Sequence, residues 1–492
     1  MKNITCSILT LMTLLATQCQ RKPTTYVATQ AFEMHESYKE PAFQSRRFKH
    51  QDMVPLLEEL KENPLFEVQK VGESVEKRAI YLVKAGTGKT NVLLWSQMHG
   101  DESTATMALF DLFNFLQQSD DLDPVRKQIL ENITLYVVPM LNPDGAEQFK
   151  RRNALEIDLN RDALQLQSPE ARLLKSLRDS LNPVFGFNLH DQSRYYAVST
   201  TSKPATISFL APAYDTAQTV NKVRGRAMRT IVGMNEALQH LIPGQVAKYA
   251  DEHEPRAFGD NIQKWGTSVI LIESGGYNGD PEKQMIRRLN FASMISALQL
   301  IAAEGYQNYT LEDYYEIPEN ARTLFDVVIR NVRYQENGRD TLLDVGVMRD
   351  EVEVATARGF YTQSSVQEIG DMRVFYGYEE VDGTGLILVP GKVYGTAFED
   401  LAALTPQRSL QLLREGYTTV RLHTLPDTAA DPLQLPLNIT SASGKVSHTL
   451  SINGGADFVL KQADGQVRYV IVNGFVYDLQ GEKPALFHGL IL

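Results

Sequence analysis

Continuous apolar runs alternate with amphipathic segments over roughly the first 300 residues. Strands that are apolar throughout and separated by helical patterns are typical of a parallel sheet that helices cover on both faces. The pattern therefore predicts an α/β domain with a largely parallel sheet. The predicted strands are 79–85, 91–97, 133–141, 184–190 and 268–274, and the predicted helices are 52–62, 103–118, 168–181, 215–241 and 281–303.

The pattern changes after Tyr309. Short β-branched runs separated by turns predict a β-rich module with one helix near 405–415. We therefore expect a leader over 1–19, an α/β domain over 20–312 and a β-rich accessory domain over 313–492. Segment 22–47 is polar and is predicted to be irregular. Segment 86–89 is interpreted as a hairpin turn between two strands.

Residues 1–19 have the pattern of an export signal. Lys2 precedes the mainly apolar stretch 4–16, which is too short to span a bilayer. Cys19 follows it and resembles the acylated cysteine of a bacterial lipoprotein signal, with simple secretion as the alternative. We expect an exported protein that is periplasmic, anchored to the outer membrane through Cys19, or extracellular.

Charge and cysteine content exclude several classes of protein. The net charge is −11 and no block of Lys and Arg occurs, which argues against nucleic acid or an anionic membrane surface as a partner. Cys6 and Cys19 are the two cysteines and both lie in the leader. A disulfide scaffold, a cysteine zinc site and a cysteine nucleophile in the body of the chain are thereby excluded.

Four predicted strands each end in a polar cluster. Because ligands of open α/β sheets bind beyond the carboxyl ends of the strands, these clusters predict one shared site. The clusters are HGDE at 99–102, NPDG at 142–145, HD at 190–191 and ESGG at 273–276.

The residue types at these strand ends favour a catalytic zinc site. His99 and Glu102 can face one point if Glu102 lies in the first helical turn, and His190 is the natural third ligand. Bound zinc would lower the pKa of a water molecule and polarise a carbonyl, and Glu273 is placed to accept the proton. Each residue alone has an ordinary explanation as a turn or cap residue, so the hypothesis depends on their combination.

The segment 151–162 carries charges that suit an anionic substrate. An arginine can bind a carboxylate through two hydrogen bonds, and an arginine beside a polarised carbonyl can stabilise an oxyanion. For this segment in isolation, a solvated basic loop is the simpler interpretation.

The order and spacing of these motifs resemble the zinc carboxypeptidase family over about residues 40–300. The resemblance implies a mixed, largely parallel central sheet flanked by helices. It also implies that His99, Glu102 and His190 bind one zinc ion per chain, and that Glu273 is the general base and proton shuttle.

The resemblance further implies roles for the residues that contact substrate. Arg151 looks like the arginine that stabilises the transition state, with Arg152 as its adjacent rival. Asn160 and Arg161 look like the pair that binds the terminal carboxylate of a peptide or peptide-like substrate. Tyr249 is the candidate for a substrate-capping tyrosine.

The chain departs from the family pattern around this tyrosine. Tyr249 lies a few residues early, so His253 or Arg256 could fill the space instead. The capping contact and the side-chain preference therefore remain open.

We expect a secreted zinc carboxypeptidase that hydrolyses C-terminal peptide bonds. A zinc-dependent deacylase, a cell-wall peptide amidase and a zinc-containing binding protein without turnover are the alternatives. The C-terminal module resembles the β-sandwich segments of amidohydrolases, but the His-x-His that would follow Gly391 is absent, so we expect it to be non-catalytic.

Overall fold

The computed structural model describes residues 23–336, 338–353, 359–426, 433, 435–481 and 487–492. The described chain forms two compact units with a boundary between Ala321 and Arg322, except that Thr200–Ser202 belongs to the second unit. The predicted leader at 1–19 lies outside the described residues. Among the helices of the described chain, none has the length and apolar character needed to cross a membrane.

A mixed sheet of eight strands forms the centre of the first unit, in the order β1-β2-β4-β3-β5-β9-β7-β8. The four central strands β4, β3, β5 and β9 are parallel, whereas β1, β2 and β7 introduce antiparallel pairs. The predicted α/β fold with a mixed sheet is thus confirmed. The strands are β1 (Phe66–Glu73), β2 (Ala79–Ala85), β3 (Thr90–Ser96), β4 (Ile133–Val138), β5 (Phe185–Asp191), β6 (Tyr196–Val198), β7 (Ile207–Leu210), β8 (Val246–Lys248), β9 (Ser268–Ser274) and the short β10 (Asn320–Arg322) at the boundary.

Apolar side chains cover both faces of this sheet. Along β3, Leu94 belongs to the cluster on one face, whereas Leu93 and Trp95 belong to the cluster on the other. Burial on both faces is the reason that the central strands read as unbroken apolar runs. The helices of the unit are Pro23–Glu33, His50–Lys61, Thr104–Gln117, Asp123–Asn132, Pro143–Gln148, Pro169–Leu181, Lys222–Leu241, Phe258–Lys264, Gln284–Ala302 and Glu312–Tyr315, with 3₁₀ turns at His35–Ser37, Leu159–Arg161 and Gly305–Asn308.

Two predictions about helices were wrong. The helix predicted at 215–241 begins only at Lys222, because the Asn221 side chain accepts hydrogen bonds from the backbone of Val223 and Arg224. The segment 22–47, predicted to be irregular, contains the helix Pro23–Glu33. That helix buries small and apolar residues against the core, which its polar composition concealed.

The prediction of a hairpin turn at 86–89 was also wrong. β2 and β3 do not pair with each other, because β4 lies between them and pairs with both. The loop packs tightly against the start of β4. A Cβ atom on Gly88 would lie 1.9 Å from the backbone carbon of Asn132, so this approach requires glycine.

The second unit is rich in strands, as expected. One sheet has the order β13-β12-β11-β15-β19-β20-β21, with β14 beside β11, and a second sheet has the order β16-β17-β18. Its strands are β11 (Leu324–Glu336), β12 (Arg339–Glu353), β13 (Phe360–Gly370), β14 (Tyr376–Asp382), β15 (Ile387–Pro390), β16 (Lys392–Phe398), β17 (Tyr417–Leu422), β18 (Asn438–Ser441), β19 (Phe458–Lys461), β20 (Val467–Val472) and β21 (Phe475–Asp478). The helix Pro406–Arg414 lies where one was predicted, after the 3₁₀ turn Leu401–Ala403. The resemblance to amidohydrolase segments stays a prediction.

A buried ion pair joins two helices of the first unit to the segment that follows its first helix. Arg287 and Asp111 are both 0% exposed, and Arg287 Nε donates to Asp111 Oδ2 at 2.7 Å. The same carboxylate oxygen contacts His35 Nε2 at 2.8 Å, and Arg287 also donates to the carbonyls of Glu40 and Phe43. These bonds fix residues 35–43 to the body of the domain.

Replacing Asp111 with Asn should destabilise the first unit by about 3–5 kcal/mol, because Arg287 would remain buried without its counter-charge. Urea unfolding followed by tryptophan fluorescence measures this unit, since Trp95 and Trp265 are the two tryptophans of the chain. Glu58→Gln, which removes an exposed ion pair, is the control and should cost less than about 1 kcal/mol. Equal effects of the two substitutions would contradict the structural role of the buried pair.

Candidate metal centre

Three side chains of the metal-ligand type converge at the carboxyl ends of β3 and β5. His99 Nδ1 lies 2.7 Å from Glu102 Oε1, and His190 Nδ1 lies 2.7 Å from Glu102 Oε2. One potential ligand atom from each residue lies within 4.8 Å of the other two, and all three residues are buried. Across the described residues, no other three His, Cys, Asp or Glu side chains meet in this way. The structure thus brings together the three residues predicted to bind zinc.

The turn after β3 positions His99 and Glu102. Gln97 adopts a left-handed backbone with φ of 51°, which turns the chain sharply at the end of the strand. The backbone N–H of Glu102 then donates to the carbonyl of His99 at 3.1 Å. Glu102 therefore lies in a tight turn just before the helix Thr104–Gln117. It contacts His99 although it does not lie in the first helical turn, which was the condition set for the two side chains to meet.

The NPDG cluster braces the site without contributing a ligand. The Asn142 amide donates to the carbonyl of Met98 at 3.3 Å and to that of Arg151 at 3.4 Å. Gly100 packs on Gly145 so closely that a Cβ atom on Gly100 would lie 1.9 Å from the backbone carbon of Gly145. Of the four strand-end clusters, this one holds the loops that carry His99 and Arg151.

Asp158 completes the surroundings of His99, and sequence reasoning assigned it no role. Asp158 Oδ1 lies 3.1 Å from His99 Nε2, and Arg151 Nε donates to Asp158 Oδ2 at 3.0 Å. A carboxylate on Nε2 fixes the orientation and tautomer of the ring and leaves Nδ1 available for a metal. The sequence offered one signal for Asp158: it is an acidic residue two positions before Asn160 in the charged segment 151–162.

Arg151 lies against the ligand cluster. Its Nη1 lies 3.1 Å from His99 Nδ1 and 3.3 Å from Glu102 Oε1. The neighbouring Arg152 is exposed and donates instead to the carbonyl of Glu156 at 2.8 Å. Of the two arginines, Arg151 is therefore the one that contacts the metal-ligand candidates.

The charges of the cluster depend on one another. Burial by itself would raise the pKa of Glu102, but the positive charges of His99 and His190 hold this pKa well below its usual value. Burial would lower the pKa of His99, yet Glu102 and Asp158 raise it to about 9. Burial lowers the pKa of His190. The buried carboxylate thus lies between two imidazoles and beside Arg151, and two imidazole nitrogens with one carboxylate are a donor set that fits Zn²⁺.

Glu273 lies directly beside a ligand candidate in the sheet. In the parallel register of β5 and β9, it pairs with His190. Burial raises its pKa well above the usual value, and the negative charge of Glu102 raises it further. A carboxyl group whose pKa is raised in this way is suited to exchange a proton near neutral pH.

The predicted carboxylate-binding residues follow Asp158 in the chain. Asn160 Nδ2 lies 3.4 Å from His190 Nε2, and Asn160 Oδ1 accepts a hydrogen bond from the backbone of Phe258 at 2.9 Å. Arg161 donates to the carbonyl of Asn160 at 2.7 Å, and its Nε lies 3.2 Å from Glu254 Oε2. Asn160 therefore lies beside one metal-ligand candidate, and the partly exposed Arg161 follows it in the chain and pairs with Glu254.

Tyr249 is half-buried, and its ring centroid lies 6.0 Å from that of Tyr196. Burial raises the pKa of Tyr249, and the charge of Glu273 contributes to the same shift. His253 and Arg256, the alternatives, contact acidic neighbours instead: His253 contacts Asp260 and Arg256 contacts Glu254. The capping role of Tyr249 stays a prediction.

Comparison with known proteins identifies the family that this site resembles. Residues 53–196 match the family model for zinc carboxypeptidase. The resemblance to zinc carboxypeptidases is confirmed. The matched segment contains the three ligand candidates together with the arginines and Asn160, whereas Glu273 and Tyr249 lie beyond it. The family uses zinc, in agreement with the donor set.

Curated relatives match over short segments. Carboxypeptidase SOL1 of Arabidopsis thaliana is 38% identical over 93 residues, which is 17% of this chain and 19% of the relative. Carboxypeptidase M of Mus musculus is 25% identical over 170 residues, covering 29% of this chain and 38% of the relative. The chain therefore spans well under half the length of these relatives.

Solved structures also align with about half of the chain. A metallo-carboxypeptidase of Pseudomonas aeruginosa is 19% identical with a TM-score of 0.43, over 53% of this chain and 70% of that one. A bovine thrombin-activatable fibrinolysis inhibitor is 16% identical with a TM-score of 0.43, over 55% of this chain and 100% of that one.

Replacing Asp158 with Asn should weaken zinc binding about 10- to 100-fold, because the residue orients the ring of His99. Affinity is measured by competition with a chromophoric chelator at fixed pH. Asp179→Asn, at an exposed carboxylate that pairs with Lys175, is the matched control and should leave the affinity unchanged. An unchanged affinity in the Asp158 variant would remove it from the metal site.

Proposed function

We propose that this protein is a zinc-dependent carboxypeptidase that hydrolyses the C-terminal bond of peptides. The observation that carries the proposal is the buried cluster of His99, Glu102 and His190, with Glu273 beside it on the next strand. The proposal is also supported by the match between the segment that holds the three ligand candidates and the zinc carboxypeptidase family.

The chemistry follows from the position of each group. Bound zinc would supply a Lewis acid that lowers the pKa of water and polarises the scissile carbonyl. Glu273 accepts a proton from the attacking water while the oxygen of that water forms a bond to the carbonyl carbon. It then gives a proton to the leaving amine as the C–N bond breaks. Arg151 stabilises the negative charge that develops on the carbonyl oxygen.

The exopeptidase character rests on Asn160 and Arg161. A guanidinium can bind a carboxylate in bidentate fashion, and the amide of Asn160 adds a hydrogen bond at the side of the metal-ligand candidates. A substrate held by its terminal carboxylate would present its last peptide bond to Glu273. Tyr249 is proposed to cover the bound residue.

We also propose that residues 1–19 direct export and that the second unit, expected over 313–492 and observed from Arg322 onwards, is a non-catalytic accessory domain. In support of the second point, the one group of three metal-ligand candidates found among the described residues lies in the first unit.

Replacing Glu273 with Gln should lower turnover by about 10²- to 10⁴-fold, because the amide cannot accept the proton, and should leave zinc bound. Zinc is measured by elemental analysis, and cleavage by mass spectrometry of paired peptides with free and amidated C-termini. The wild-type protein should trim only the free acids. Glu131→Gln, at an exposed helix position, is the control and should remain active.

Other outcomes of this experiment would redirect the proposal. Cleavage of acylated amino acids or cell-wall peptides without trimming would indicate a deacylase or an amidase. Bound zinc with no cleavage in a broad panel would indicate a binding protein. Loss of zinc in the Glu273 variant would contradict its role as the general base.

Export and lipidation are tested by cell fractionation of the full chain. The lipoprotein interpretation predicts the wild-type protein in the membrane fraction and the Cys19→Ser variant in the soluble exported fraction. Soluble exported wild-type protein would indicate simple secretion, and cytoplasmic protein would contradict export.

A further inference from the structure

Arg161, the proposed binder of the substrate carboxylate, already contacts a carboxylate of the chain itself. Arg161 Nε lies 3.2 Å from Glu254 Oε2, with the two side chains 36% and 29% exposed. Charge-assisted pairs of guanidinium and carboxylate are the kind of contact that a peptide C-terminus would form here. Glu254 therefore occupies one edge of the guanidinium that the substrate would use.

A second arginine holds the same carboxylate from the solvent side. Arg256 Nε donates to Glu254 Oε1 at 3.0 Å, and its Nη2 donates to Oε2 at 3.0 Å. Arg256 lowers the pKa of Glu254, so the carboxylate remains ionised at neutral pH. Because Arg256 contacts both oxygens, it can keep Glu254 paired when Arg161 is released.

The loop that carries Glu254 is fastened beside the substrate-binding segment. The carbonyl of Arg256 accepts a hydrogen bond from the backbone of Ala163 at 3.1 Å, and the carbonyl of Glu254 accepts one from Ala257 at 2.9 Å. The backbone N–H of Phe258, the residue after Ala257, donates to Asn160 Oδ1 at 2.9 Å. These bonds keep Glu254 within reach of Arg161.

We propose that Glu254 is a built-in competitor for the terminal carboxylate of the substrate. It pairs with Arg161 in the free protein and is retained by Arg256 alone when the substrate carboxylate binds Arg161. The inference rests on the proposed function, because it takes Arg161 as the carboxylate site. Removing the charge of Glu254 should strengthen substrate binding, whereas removing the charge of Arg256 should weaken it.

The test is calorimetric binding of a peptide acid and of its C-terminal amide. It uses the full zinc-loaded chain carrying Glu273→Gln, so that the peptide is not consumed. Glu254→Gln and Arg256→Gln are added singly to this background. Glu252→Gln is the matched control, because Glu252 is exposed on the same loop and makes no hydrogen bond or ion pair with a described residue.

The Glu254 variant should bind the peptide acid about two- to fivefold more tightly, and the Arg256 variant should bind it more weakly by a similar factor, as expected for partly exposed ion pairs. The Glu252 variant should match the background, and binding of the amide should not change in any variant. Unchanged or weaker binding of the acid by the Glu254 variant would overturn the inference. Equal shifts for the acid and the amide would overturn it as well.

Failure of the proposed function would look different. If the Glu273 background itself binds the acid and the amide equally, Arg161 does not recognise a terminal carboxylate, and both proposals fall. If the background prefers the acid but the Glu254 variant does not bind it more tightly, only the competitor role is lost.

Discussion

The buried carboxylate of Glu102 is the group around which the site is organised. One of its oxygens contacts His99 Nδ1 and the other contacts His190 Nδ1, and each distance is 2.7 Å. A carboxylate at 8% exposure is costly to bury unless positive charge compensates it. His99 and Arg151 supply this charge in the structure, and a divalent cation would supply it more completely. The need for charge compensation is consistent with the contacts that the two histidines and Arg151 make with Glu102.

The parallel register of the central strands converts distant parts of the sequence into neighbours. His99 follows β3, His190 is the penultimate residue of β5, and Glu273 pairs with His190 from β9. Because these strands point in the same direction, their polar ends lie along one edge, whereas the apolar interior of each strand packs on both faces. A change that shifts β5 against β9 would separate the base candidate from the ligand candidates without altering either residue.

Much of this arrangement could be predicted from sequence, because the central strands are both apolar and followed by polar residues. The ligand candidates and Glu273 were found in this way. Asp158 received no role, because its contact with His99 depends on the path of a loop that has no periodic pattern. The bracing role of Asn142 was missed for a similar reason, since it acts through backbone carbonyls that no motif reveals.

The remaining errors came from contacts that are distant in sequence. The loop at 86–89 looks like a hairpin, but β4 inserts between the two strands and pairs with both. The short strands β7 and β8 extend the sheet with only 4 and 3 residues, too few for a recognisable pattern. The contact between Arg161 and Glu254 likewise joins residues far apart in the chain, and only the structure reveals it.

Anomalous X-ray diffraction from crystals of the purified protein would show whether His99, Glu102 and His190 bind one zinc ion. Data collected on both sides of the zinc absorption edge locate the metal independently of any activity assay. We expect one zinc peak about 2.0–2.2 Å from both Nδ1 atoms and a Glu102 oxygen. A zinc peak elsewhere in the chain, or none at this cluster in crystals grown with zinc, would contradict it.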